Sequence, residues 1–484
     1  MGGRPAHADP NSDWWMWVRD PANLASHRVS GDLPERGPGE YALYRRDIGL
    51  ARRVLGANAF RLSIEWSRIF PRSTASVDAR RGFTPRVLRR LDALADHRAV
   101  VHYGAELRAI RRAHMVPLVT VNHFTLPAWL DAGVPARDAF SRLAPSDALP
   151  SGFGPRGWLD AATVREFAKY AAYLGWRYRR LVRMWTPINE PVPMVVDGYF
   201  NGAGVGSNFP PGAFSYRALA PLLVNLLHAN AAAYDALKAT DPGARVGLVQ
   251  SLVAFTPANP ASARDLAGAA HADQLYNRLF LDGAVRGVID ADLNGRVDAG
   301  ERHPALAGKA DFVGVNYYFR GRVTGVGTAL TPLVPLLDFV PTFTYRSPVA
   351  PGAPPCPTTC SDAGSEIYPQ GLRAVLGVAG GYHRPVYITE NGIADARDRL
   401  RPSYLVRHLA VLRRAMADHV ANVRGYFHWS LIDNLEWTAG YRPKFGLFSF
   451  DPRTLRRTAR PSARIFARVA RANRIPTALA RRYR

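Results

Sequence analysis

Arg183-Met-Trp-Thr-Pro-Ile-Asn189 is a short, largely apolar run that ends on an amide and is followed at once by a carboxylate, Glu190. Working outward in both directions, similar runs recur at Ala59–Ile64, Val116–Asn122, Arg245–Val253, Phe312–Tyr317, Pro385–Thr389 and Val423–Trp429. Continuous apolar runs of this length, separated by helix-length segments, suggest parallel strands buried on both faces. The segments between them have helical periodicity. In Thr163–Leu181 the residues Phe167, Ala171, Leu174 and Tyr178 recur at spacings of four, three and four, the pattern of one helix face. Ala220–Leu237 and Pro402–Ala417 read similarly.

The carboxyl end of nearly every run carries a group that is costly to bury without a purpose: Glu65, His123, Asn189–Glu190, Asn316, Glu390–Asn391 and Trp429. In a (β/α)₈ TIM barrel that end of each strand opens into the active site. An open doubly wound sheet would not need chemistry at almost every strand end, and no glycine-rich phosphate loop follows any run. The reading is therefore an α/β fold, a (β/α)₈ barrel forming a single domain over residues 1–484. Seven strands are legible where such a barrel has eight, and the shortage lies at the amino end, where Met1–Ser12 holds no strand-like run. A Pro/Gly-rich connection at about 321–365 is expected to loop over the barrel mouth.

Composition excludes several classes. The 484 residues are 47% hydrophobic and 21% charged, with two cysteines, which rules out wholesale disorder, a disulfide scaffold and a thiolate-rich zinc cluster. No run of about 18 apolar residues is present to span a membrane. The net charge of +24 comes from 59 arginines and only four lysines. They are spread along the chain, which reads as a solvated surface rather than a nucleic-acid site.

Glu190, in Thr186-Pro-Ile-Asn-Glu-Pro191, and Glu390, in Tyr387-Ile-Thr-Glu-Asn-Gly392, end strands on opposite sides of the expected barrel. Glycosidic bond cleavage needs such a pair: one carboxyl protonates the leaving oxygen and the other stabilises or traps the sugar cation. With these motifs the chain resembles the family-one glycoside hydrolases, the retaining β-glucosidases and β-galactosidases, and among them the archaeal-type β-glycosidases. The resemblance runs over about 12–467. It includes Ser12-Asp-Trp-Trp15, Ser30-Gly-Asp-Leu-Pro-Glu35, Arg61-Leu-Ser-Ile-Glu-Trp-Ser-Arg-Ile-Phe-Pro71, Val315-Asn-Tyr-Tyr318, His428-Trp-Ser-Leu-Ile-Asp-Asn-Leu-Glu-Trp437 and Lys444-Phe-Gly446.

The resemblance implies Glu190 as acid/base and Glu390 as nucleophile, with Arg61 and Tyr318 beside the nucleophile. It implies His123, Asn189 and Asn316 around the sugar, Trp429 as the floor beneath it, Glu436 and Trp437 reading the 4- and 6-hydroxyls, and Phe445 nearby. Glu436 argues against 6-phosphoglycosides, and an intact Glu190 argues against a myrosinase. The expected substrates are small β-glycosides or oligosaccharides, with no catalytic cofactor. Transglycosylation and a catalytically impaired sugar-binding barrel are the alternatives.

The family opens with a strand bearing a sugar-binding glutamine. Here the chain starts Met1-Gly2, so that strand is expected to be missing, and Phe124 stands where the family has Trp. Outside the family pattern, Asp290-Ala-Asp-Leu-Asn-Gly-Arg-Val-Asp-Ala-Gly-Glu301 matches the EF-hand calcium loop at positions one, three, five, six, nine and twelve. Asp290, Asp292, Asn294, Asp298 and Glu301 are its candidate ligands for a structural Ca²⁺; a polar Asp/Gly turn is the other reading. Cys356 and Cys360 either close a small disulfide or remain free thiols. No signal peptide is visible, and an amino end lost from the chain could carry one, so the compartment is left open.

Overall fold

Seven parallel strands follow one another in chain order around a curled sheet in the computed structural model, which describes residues 5–200, 208–348 and 350–483. They are β1 (Ala59–Ser63), β2 (Val116–Asn122), β3 (Met184–Ile188), β4 (Arg245–Ser251), β5 (Phe312–Tyr317), β6 (Val386–Asn391) and β7 (Val423–Tyr426). Each of the six neighbouring pairs is parallel. Consecutive parallel neighbours require helical crossovers. Helices Pro85–Leu94 and His97–Arg112 supply the first, Ala161–Tyr178 the second, and Leu219–Thr240 the third. Pro369–Gly380 and Arg401–Ala417 precede β6 and β7.

The crossovers begin where their sequences cap them. Asp96 accepts hydrogen bonds from the amides of Arg98 and Ala99, and Thr84 caps a helix that has Pro85 in its first turn. Helix Ala161–Tyr178 turns Phe167, Tyr170, Ala171 and Leu174 into the core. It packs closely on Leu219–Thr240, because Gly175 leaves no room for a side chain: a Cβ there would lie 2.4 Å from Thr240 Oγ1.

Strands β2 to β5 are buried almost end to end, as strands covered on both faces should be. β1, by contrast, is only half-buried along its whole length, and β7 is buried only at Val423. β1 pairs with β2 alone and β7 with β6 alone, so the sheet does not close among the described residues. Met1 and Gly2, to which the expectation of a lost first strand was attached, lie outside the described residues.

Two sequence expectations need correction. The 321–365 connection is not a bare loop: Arg320–Gly325 and Phe339–Thr342 pair antiparallel, and Ala254–Pro257 joins them in parallel to make a second, three-stranded sheet. Val340-Pro341 disguised the short outer strand, because proline is tolerated at an edge yet reads as a strand breaker. The apolar runs also overshoot, since β4 stops at Ser251, β7 at Tyr426, while β6 continues to Asn391. Cys356 and Cys360 form a disulfide.

Not all the arginines are at the surface. Arg457 grips Asp47 through two hydrogen bonds of 2.9 and 2.7 Å, and Arg401 pairs with Asp398 in full burial. The first of these ties the C-terminal segment to helix Glu40–Gly49.

Candidate active site

The strand ends bring nearly all the nominated residues together. Asn189 and Glu190 leave β3 held by backbone hydrogen bonds to both neighbours, from Asn189 N to Asn122 O (2.9 Å) and from Glu190 N to Val249 O (3.1 Å). Glu190 has a left-handed backbone, φ 48°, and caps helix Pro191–Tyr199. That conformation is disfavoured for a residue with a Cβ and is the kind of strain that clusters at functional sites.

Both oxygens of Glu390, at the end of β6, are engaged. Arg61 Nη1, from β1, donates to Oε1, and the Tyr318 hydroxyl donates to Oε2. The other arm of the guanidinium, Nη2, donates to Asn189 Oδ1 at 2.5 Å. This fixes the Asn189 amide, whose Nδ2 then faces His123 Nε2 at 3.2 Å. With Nε2 accepting, the imidazole proton sits on Nδ1, 3.1 Å from Ser63 Oγ. Burial, aided by the Arg61 charge, holds this histidine well below its ordinary value, so the ring is neutral.

Asn316 joins Glu190 to Asn189, from which Arg61 carries the link on to Glu390. Its Nδ2 donates to Glu190 Oε1 at 2.6 Å and to Asn189 Oδ1 at 3.3 Å, and its Oδ1 accepts from Thr389 Oγ1 at 2.6 Å. Glu190, Asn316, Asn189, Arg61 and Glu390 thus form one connected network. Desolvation, reinforced by the Glu390 charge, pushes the Glu190 carboxyl up to about 8. The Tyr318 hydroxyl is raised well above its usual value by burial and by the same charge.

Glu436 forms the far wall. Trp429 Nε1 (3.2 Å) and Asn434 Nδ2 (3.1 Å) both donate to its Oε1, and burial pushes its carboxyl up to about 8. Trp437 sits among Trp14 (4.7 Å between ring centroids), Phe124 (4.9 Å) and His123 (5.7 Å). Phe445 packs edge-on against Tyr318 at 5.9 Å. A neutral carboxyl, two tryptophans and fixed amides around an ion-paired carboxylate suit a polyhydroxylated, uncharged ring.

A profile of the Glycosyl hydrolase family 1 matches residues 149–475. The β-galactosidase of Pyrococcus woesei is 36% identical over 491 residues, covering 96% of this chain and 92% of its own length. That of Saccharolobus solfataricus is 35% identical, covering 97% and 91%. The chain belongs to glycosyl hydrolase family 1. The crystal structure of the β-glycosidase of Thermosphaera aggregans superimposes with a TM-score of 0.85 at 35% identity, over 100% of this chain and 96% of that one. The barrel of this family 1 enzyme is thus the one its solved relatives adopt, and its reaction is hydrolysis of β-glycosidic bonds.

Several groups in this glycosidase escaped the sequence reading. Thr389 orients Asn316, and its only sequence signal is a hydroxyl one position before the carboxylate. Asn434 supports Glu436. Phe209, 5.8 Å from Trp437, reaches the site only through the fold. Glu65 and Asn391, prominent as strand ends, turn elsewhere: Glu65 accepts from Ser67 and Thr125, and Asn391 donates to Tyr317 O and Tyr404.

The acidic loop closes on itself. Oxygens of Asp290, Asp292 and Glu301 lie within 4.8 Å of one another. Asp290 accepts from the amides of Asn294 (3.0 Å) and Gly295 (2.8 Å), while Glu301 accepts from those of Ala291 and Asp298 (2.9 Å each). Asn294 Nδ2 reaches Asp292 (2.9 Å) and Asp298 (2.7 Å). All five nominated side chains therefore meet in one loop.

Proposed function

We propose that this enzyme removes a terminal β-linked glucosyl, galactosyl or fucosyl unit by double displacement, with Glu390 as nucleophile and Glu190 as acid/base. The observation that carries the reading is the contrast between the two carboxyls. Glu390 is ion-paired and hydrogen-bonded on both oxygens, whereas Glu190 is raised to about 8 and so holds a proton at neutral pH. In the first step a Glu390 oxygen attacks the anomeric carbon while Glu190 gives its proton to the departing oxygen. Esterification then removes the Glu390 charge that raised Glu190, which becomes able to take a proton from the attacking water. Water attacks the anomeric carbon, and Glu390 leaves as the carboxylate. An acceptor sugar in place of water would give transglycosylation.

Asn189 is suited to the 2-hydroxyl, Trp429 to the apolar face of the sugar, and Glu436 to the outer hydroxyls, where its protonated form can both donate and accept. Glu390→Gly should abolish hydrolysis of nitrophenyl β-glycosides, with azide restoring turnover and giving an inverted glycosyl azide. Full activity of that variant without azide would refute the assignment.

A second reading, a sugar-binding barrel of impaired activity, is favoured by one observation: among the described residues no strand pairs between β7 and β1. Low turnover with intact glycoside binding would select it. We also infer a structural Ca²⁺ in the loop Asp290–Glu301. The donor set is entirely oxygen, as a hard cation requires, and turning over the Asn294 amide would present Oδ1 to the ion.

A further inference from the structure

Glu190 and Tyr276 are anchored on neighbouring residues of β4. The amide of Glu190 bonds to Val249 O at 3.1 Å, and Gln250 Nε2 donates to Tyr276 O at 3.0 Å. Burial, together with the charges of Asp197 and Glu190, raises the Tyr276 hydroxyl. From this tyrosine a connected patch of rings spreads over the second sheet. Tyr276, Phe255, Phe343 and Phe319 follow one another at centroid separations of 5.9, 6.1 and 5.6 Å, and all four are half-buried. Phe319 directly follows Tyr318, which holds Glu390. The sheet makes room for the rings with a glycine. Gly321 pairs with Phe255 in the parallel ladder, and Arg322 pairs with Thr342 in the antiparallel one, which sets Gly321 beside Phe343. A Cβ at Gly321 would lie 2.9 Å from each of the two phenylalanine rings, so they close over bare backbone. Helix Ala263–Ala272 covers the same face at Val323 and Gly325, whereas the row at Gly321 keeps its rings partly open to solvent.

We propose that this patch receives the leaving group, and that it takes an apolar aglycone, alkyl or aryl, in preference to a second sugar. The proposal rests on the double-displacement reading above, in which the departing oxygen is protonated by Glu190. Three observations choose this occupant. A second sugar needs hydrogen-bond partners, and the polar groups bordering the Phe255–Phe343 row are engaged with one another. Arg320 donates to Thr256 Oγ1 at 2.7 Å and lies 4.4 Å over the Tyr368 ring, while Arg320 and Arg322 pair with Glu366 at 3.6 and 3.5 Å. The rings also meet at steep angles, 76°, 63° and 68° along the patch. They offer edges and faces in turn, not the single flat ledge on which a pyranose stacks. Finally, the patch continues a site whose other wall, Trp429 with Glu436, is already suited to the sugar. Contiguous, partly open apolar surface of this kind marks a ligand-binding groove.

The test compares three substrates of the full chain, all carrying the sugar it hydrolyses best: the octyl β-glycoside below its micelle concentration, the methyl β-glycoside, and the matching β-linked disaccharide. Octanol and methanol are alkanols of similar acidity, so that pair reads aglycone binding and not bond strength. The expected kcat/KM for the octyl glycoside is at least about ten-fold above that for either other substrate. Phe343→Ala should cut the octyl-to-methyl ratio by about ten-fold, chiefly through KM, and Phe343→Leu should restore most of it. Equal kcat/KM for octyl and methyl, preference for the disaccharide, or an octyl preference that survives in both Phe343→Ala and Phe319→Ala would overturn the proposal. Should these variants fail to fold, S-octyl and S-methyl thioglycosides read the same preference as inhibitors of the native chain, and S-octyl binding no tighter than S-methyl overturns it as well. Were the native chain to hydrolyse no glycoside, calorimetry with the same two thioglycosides would separate the questions: tighter S-octyl binding would uphold the subsite while the mechanism fell.

Discussion

Glu190 and Glu390 are chemically identical side chains given different tasks by their surroundings. One is enclosed with an amide donor and a neighbouring negative charge; the other faces a guanidinium and a phenol. In the proposed mechanism Glu190 must hold a proton for the first step, so kcat/KM should fall as pH rises through about 8, the value to which burial and Glu390 raise it. The limb should move to lower pH when the Glu390 charge is removed chemically, which titration of Glu190 in the trapped glycosyl-enzyme would detect. Thr389 is argued at the same scale. Its hydroxyl is the donor that keeps the buried Asn316 amide facing Glu190. Thr389→Val leaves Asn316 Oδ1 without that donor, at a cost of about 1–3 kcal/mol. The expected outcome is a roughly ten-fold or greater loss of kcat/KM, measured together with a lower denaturation midpoint.

At the scale of elements, sequence grammar and structure agree where one physical rule dominates. Runs such as Leu118–Val121 and Val313–Val315 are buried on both faces, and their largely apolar character announced it. It failed where a short strand carries a proline, as at Phe339–Thr342. The acidic loop belongs here too. In the Ca²⁺ site proposed there, each position of the twelve-residue spacing has a fixed geometric duty. Left without a cation, Asp290, Asp292 and Glu301 repel one another. Chelation with EGTA should therefore lower the melting temperature of the native enzyme, by a margin abolished in Asp290→Ala, and calorimetry should register Ca²⁺ uptake by the wild type alone.

For the molecule as a whole, the meeting of the nominated side chains was readable because motifs carry side-chain identity at strand ends. The open side of the sheet among the described residues was legible only as a strand count of seven, because pairing between the first and last strands is encoded in no local pattern. The aromatic surround of Trp437 was also hidden, since Trp14, Phe124 and Phe209 meet there from three distant segments. Similarly, the arginine excess looked like a uniform surface property, yet Arg401 and Arg457 are internal fasteners.

The left-handed turn at Glu190 has a consequence for anyone seeking a hardier protein. Glycine adopts that backbone freely, and it would also relieve the enclosed carboxyl of its lost hydration. Glu190→Gly should therefore be more stable than the parent by on the order of 1 kcal/mol, seen as a higher unfolding temperature, while surrendering the general acid of the proposed mechanism. Screens that reward ruggedness alone would drift toward inactive sequences at this position.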